Sequence, residues 1–149
     1  MKIQSIALAL AGIFAVTTSY ATPLTSDLLT DQREQVAQQY IQDLQKADYK
    51  DITSLFEKNG IVISTSRGKV NAKDFFYAFL PEINSATTEL HQIFINNIDK
   101  NRLTARFHFA FTLKDGEKGN GEYVDEFVFS ENSTQLTAVY MFENLKFSD

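Results

Sequence analysis

Cysteine is missing from all 149 residues, which excludes a disulfide, a thiol nucleophile and any cysteine-ligated metal. Histidine is nearly missing, with only His91 and His108, and neither HxH nor HExxH spacing occurs. No metal site is therefore expected. The chain also lacks a glycine-rich phosphate loop and a GxSxG nucleophile elbow, so no cofactor is expected. Basic residues are outnumbered, 14 against 19 acidic. Nucleic acid and anionic membranes attract clustered Lys and Arg, so neither is an expected partner.

Long hydrophobic runs are equally scarce. The one apolar stretch, Ile6 to Val16, follows Lys2 and closes on Ser19-Tyr20-Ala21. It is too short for a membrane-spanning helix, which needs about 20 residues. A charged start, a short apolar core and small residues before a cut describe a signal peptide over residues 1–21. No cysteine follows to carry a lipid, and the short leader reads as bacterial, which implies a periplasmic or secreted protein. Cleavage after Ala21 removes one basic residue, Lys2, and leaves a net charge of −6 on 128 residues. That is the size of one domain, here residues 31–149 behind a short extension, 22–30.

What is present divides into a helical half and a strand-rich half. Asp31 and Glu34 read as a capping box for a first helix. Val36, Ala37, Tyr40, Ile41, Leu44 and Ala47 form its apolar stripe, opposite Gln38, Gln39, Gln42, Asp43 and Lys46. The stretch "ADYKDITSLFEKNG" predicts a shorter helix with Ile52, Leu55 and Phe56 inward and Gly60 as its stop. A strand "IVIS", a turn "TSRG" and "KVN" follow, and Asn71 caps a third helix with Phe75, Phe76, Phe79 and Leu80 on one face. Pro81 ends it. Beyond Thr88 the period becomes two, giving four strands, "TELHQIFINNI", "RLTARFHFAFTL", "GEYVDEFVF" and "QLTAVYMFENLKF", joined by turn-rich linkers. Helices first and one antiparallel sheet after define an α+β domain.

This order, carried by "QQYIQDLQKADYKDITSLFEKNGIVIS", "RGKVNAKDFF", the long hairpin, "YVDEFVF" and "LTAVYMF", resembles the nuclear transport factor 2-like superfamily. Its ketosteroid isomerase and SnoaL-like polyketide cyclase branches are most similar. The resemblance implies a cone of three N-terminal helices on a curved antiparallel sheet, an apolar cavity within it and a homodimer through the sheet. It also places Tyr40 where ketosteroid isomerases carry the tyrosine of the oxyanion hole, and Asp125 where they carry a neutral carboxylic acid. Their general base would fall at Ser64 or Thr65, and neither is a useful base at neutral pH.

Strand alternation sets Tyr123, Asp125, Phe127 and Phe129 on one face. An ionised carboxylate among rings is costly, so Asp125 is either a neutral acid at a pocket floor or a rim acid paired with Arg102 or Arg106. The strand register that joins Ile93 and Ile95 to the face of Phe107, Phe109 and Phe111 turns His91 inward, either as an acid or base near neutral pH or as a strand-end histidine bonded to a turn or to water. It turns His108 outward. The expected function is binding of a small apolar molecule in the cone, with no or weak catalysis. Phe79, Phe107, Phe109, Tyr123 and Phe127 are its expected walls, and Asp125, Tyr40 and His91 its candidate polar or catalytic groups. The alternatives are an isomerase, cyclase or dehydratase acting beside a carbonyl, and a dimeric interaction module with a filled core.

Overall fold

The computed structural model describes residues 26–144, so the expected leader over residues 1–21 lies outside them. The first helix, α1 (Ser26–Lys46), begins before the capping box expected at Asp31. No Pro or Gly between residues 26 and 31 stops the helix from extending, and Asp27 supplies the acid of its first turn. Its apolar stripe is buried as expected, with Ala37 and Tyr40 fully enclosed. Asp43, expected on the polar stripe, is instead fully buried and accepts from Gln39 at 2.6 Å.

Helix α2 (Tyr49–Ser54) is capped by Asp48, which accepts from the Lys50 and Asp51 amides. It is shorter than its apolar spacing implied, because Phe56 already belongs to strand β1 (Phe56–Ser64). Gly60 is no helix stop. It lies in an irregular stretch of β1, where an added Cβ would approach the Phe56 side chain to 2.9 Å. Strand β2 (Gly68–Asn71) returns beside β1, and Asn71 caps α3 (Ala72–Phe79) through the Lys73 amide. Pro81 enters a single 3₁₀ turn, Leu80–Glu82, which ends that helix.

Four long strands follow: β3 (Ile83–Ile95), β4 (Arg102–Leu113), β5 (Lys118–Phe129) and β6 (Leu136–Asn144). They form the expected antiparallel meander, and β3 starts earlier than Thr88 because the chain leaves the 3₁₀ turn directly into it. The sheet order is β2-β1-β6-β5-β4-β3. Strand β1 joins β6 in parallel, so the six-stranded sheet is mixed where an antiparallel one was expected. Helices α1 and α3 cover its concave face, and the core between them is rich in rings: Tyr40, Phe76, Phe107 and Phe127 are all fully buried.

Arg33 locks one end of this arrangement. Its buried guanidinium donates to Lys100 O (2.7 Å), Ser130 O (2.8 Å) and Ser133 O (2.9 Å) and lies over the Phe129 ring. One side chain of α1 thereby holds the β3–β4 and β5–β6 turns together.

Candidate functional site

The site follows from alternation on β5. Tyr123, Asp125, Phe127 and Phe129 all face inward and are buried, while Val124, Glu126 and Val128 point out. Asp125 pairs with Ala105 on β4 and Met141 on β6. The small Ala105 side chain leaves room beside the carboxyl group. With 1% of its surface exposed, Asp125 has no cation against it among the described residues. Arg102 instead binds Asp99 and Glu126, and Arg106 is exposed on the outer face, so the rim pairing is not found. Burial pushes the Asp125 pKa up to about 8, with Glu143 adding to the rise and Tyr40 opposing it. At neutral pH the group is a neutral acid, able to donate.

A cavity of about 340 Å³ opens above Asp125. Phe79, Phe107, Phe109 and Tyr123 line it, together with Phe75, Phe76, Phe111 and Met141. Phe127 does not. Its ring packs edge-on against Tyr40 at 5.0 Å, in the layer beneath the cavity. Tyr40 itself is not in the cavity wall either; it sits behind Asp125, edge-on to Phe76 at 5.9 Å. Burial, then the Asp125 carboxylate, raises the Tyr40 pKa, so it stays a phenol. The two groups are neighbours, yet neither Tyr40 Oη nor Asp125 Oδ1 completes a well-formed hydrogen bond. Asp125 thus faces the cavity with hydrogen-bonding capacity unused.

His91 is not part of this site. A bulge between Leu90 and Gln92 makes His91 the extra residue on β3 and reverses the alternation there. Ile93 and Ile95 do share the inner face, opposite Ala105 and Leu103, but His91 lies on the outer face with His108. Both imidazoles meet Glu122 Oε1, at 3.3 and 3.1 Å. Burial alone would raise the Glu122 pKa, but the two histidines outweigh it and bring it below the usual range.

Sequence reasoning missed the polar mouth. Ser66 and Arg67 from the β1–β2 connection, Glu117 from the β4–β5 turn and Glu143 from β6 all line the cavity, beside Ser64 at the end of β1, the one of them named from the sequence. Arg67 stacks over Phe75 at 5.5 Å. Period-two counting along "VYMFE" from inward Val139 would have placed Met141 and Glu143 inside.

Gly119 shapes one wall. It pairs with Phe111, and a Cβ on it would lie 2.3 Å from the Phe111 ring. That ring crosses the glycine and packs edge-on to Phe79 at 5.2 Å. Gly119→Ala is expected to displace Phe111 and cost about 1–2 kcal/mol in urea unfolding. The cost should shrink in a Phe111→Leu background. Equal costs in both backgrounds would remove Phe111 as the cause.

No protein-family model and no curated protein matches the chain. Among solved structures it is similar to SalBIII, an epoxide hydrolase/cyclase-like enzyme with a role in pyran ring formation in polyether salinomycin. The TM-score is 0.65 at 13% identity, over 81% of this chain and 95% of that one. A ketosteroid isomerase-like protein from Erwinia carotovora atroseptica gives 0.59 at 13%, over 76% and 95%. An NTF2-like protein from Exiguobacterium gives 0.60 at 9%, over 73% and 98%. The chain has the nuclear transport factor 2-like α+β fold, as its sequence resemblance implied.

Proposed function

We propose that the cone binds a small, mainly apolar molecule carrying one hydrogen-bond-accepting oxygen, such as a cyclic ketone. One observation carries this reading: a neutral acid with unused hydrogen-bonding capacity lies at the floor of a ring-lined cavity of about 340 Å³. That volume is in the usual range for ligand pockets, about 300–1,000 Å³. The ring walls supply apolar contact, and Asp125 selects the oxygen. The neighbouring folds described as an isomerase-like protein and a cyclase-like enzyme support small-molecule chemistry in such a cone.

The test compares β-tetralone with its hydrocarbon counterpart tetralin by saturation-transfer NMR. The protein should prefer the ketone by about fivefold to tenfold, the worth of one hydrogen bond of about 1 kcal/mol. Asp125→Leu should erase that preference and leave a folded protein. Failure of wild type to bind either compound would overturn the reading, and an unfolded Asp125→Leu would make the acid structural. The leader pattern supports export of this domain, testable by sequencing the mature N-terminus. Exposed Phe94 and Phe142 on the outer sheet face support a homodimer, testable by size-exclusion chromatography.

A further inference from the structure

We infer that the ligand of the cone carries a protonated amine at the end remote from its oxygen, and that Glu143 and Tyr123 receive it. This rests on the binding reading above and names the class of molecule, an apolar amino ketone. Tyr123 and Glu143 stand directly opposite each other across the β5–β6 ladder, and both line the cavity. Side chains paired in this way have Cβ atoms about 4.5–5.5 Å apart. The Tyr123 ring is held by Phe107, stacked at 5.6 Å, and by Phe109, edge-on at 5.7 Å. A carboxylate beside an aromatic ring is suited to an ammonium group, which pairs with the first and is drawn to the face of the second.

Glu143 is free to take that role. The Thr65 hydroxyl donates to its Oε1 and orients it, and it forms no ion pair with a Lys, Arg or His among the described residues. Charge in the cavity also favours a cation. With Asp125 neutral, one cation, Arg67, stands against two carboxylates, Glu117 and Glu143. Arg67 lies over the Phe75 ring at 5.5 Å rather than in an ion pair with either. Arg67 and Glu117 are exposed on their turns, whereas Glu143 is half-buried on its strand. Its charge reaches the floor: after burial, Glu143 is what raises the pKa of both Tyr123 and Asp125.

The spacing fixes the shape of the ligand. Met141, two residues before Glu143, stands opposite Asp125, so the two acids are diagonal neighbours on one sheet face. Their backbones are about 7–8 Å apart. A molecule that meets both therefore holds its oxygen and its amine on opposite sides of one ring.

Tropinone, which is protonated at neutral pH, and cycloheptanone, the same ring ketone without the amine bridge, test this by NMR titration at pH 7 and low salt. Wild type should bind tropinone about fivefold to tenfold more tightly, and added salt should narrow the gap. Glu143→Gln should bring the two ketones to equal affinity. Glu117→Gln should reduce the preference far less, and Arg67→Ala should widen it by removing the competing cation. Equal binding of the two ketones by wild type, or a preference that survives in Glu143→Gln, would overturn the inference while the binding reading stands. Equal losses in the two glutamine variants would also overturn it, by showing a general field in place of a site. Absence of binding of either ketone by wild type would overturn both readings.

Discussion

Asp125→Asn should melt near the wild-type temperature at pH 4 and about 10 °C above it at pH 9. In the folded protein Asp125 keeps its proton up to about pH 8, because burial disfavours the charge. In the unfolded chain it loses that proton near the ordinary carboxylate value of about 3.9. Between those values the folded state binds more protons, so stability falls as pH rises. The fall is complete above about pH 8 and absent below about pH 4. A shift of this size corresponds to about 5 kcal/mol, an upper figure that water entry into the cavity would reduce to about 3. Asn keeps the shape without the charge. Some slope should remain in the variant, because burial also raises the Asp43 pKa, outweighing the opposing bond from Gln39. Melting curves of both proteins from pH 4 to 9 check this; parallel profiles would mean that Asp125 ionises freely.

Arg33→Ala should lower stability by about 4 kcal/mol, through mechanisms unrelated to the cavity. Truncation removes the guanidinium donor from three turn carbonyls, those of Lys100, Ser130 and Ser133, of which Ser130 O keeps the Ser133 amide. Hydrogen bonds to a charged group contribute about 1.5–3 kcal/mol each, and they do not add fully. Arg33→Lys should recover only part of the loss, since an ammonium lacks the planar fork that reaches all three carbonyls. Urea unfolding checks the order wild type, Lys, Ala. A loss under 1 kcal/mol in Arg33→Ala would show that the turns hold themselves.

The inward carboxyl of Asp125 was legible because the alternation of "YVDEFVF" runs unbroken through β5. His91 was misplaced for the converse reason. A bulge inserts one residue between Leu90 and Gln92 without any Gly or Pro to mark it, and from that residue the period-two count inverts. Phe56 suits both a helix with Ile52 and a strand with Val62, and only pairing with Leu136 on β6 settles it. The parallel β1–β6 contact joins segments remote in sequence, beyond the reach of local pattern. It is also what brings Thr65 to Glu143, so the polar mouth stayed hidden while the ring walls did not. Asp43 and Arg33 show the same limit: each looks like a surface residue of an amphipathic helix until neighbouring elements cover it.

The central claim is that a neutral acid faces the cavity at physiological pH. Carbon-detected NMR titration of the Asp125 carboxyl tests it most directly. A midpoint near 8, far above the ordinary value of about 3.9, is the predicted result. A midpoint at or below the ordinary value would mean an ionised, solvated or cation-paired Asp125, and would contradict the binding reading.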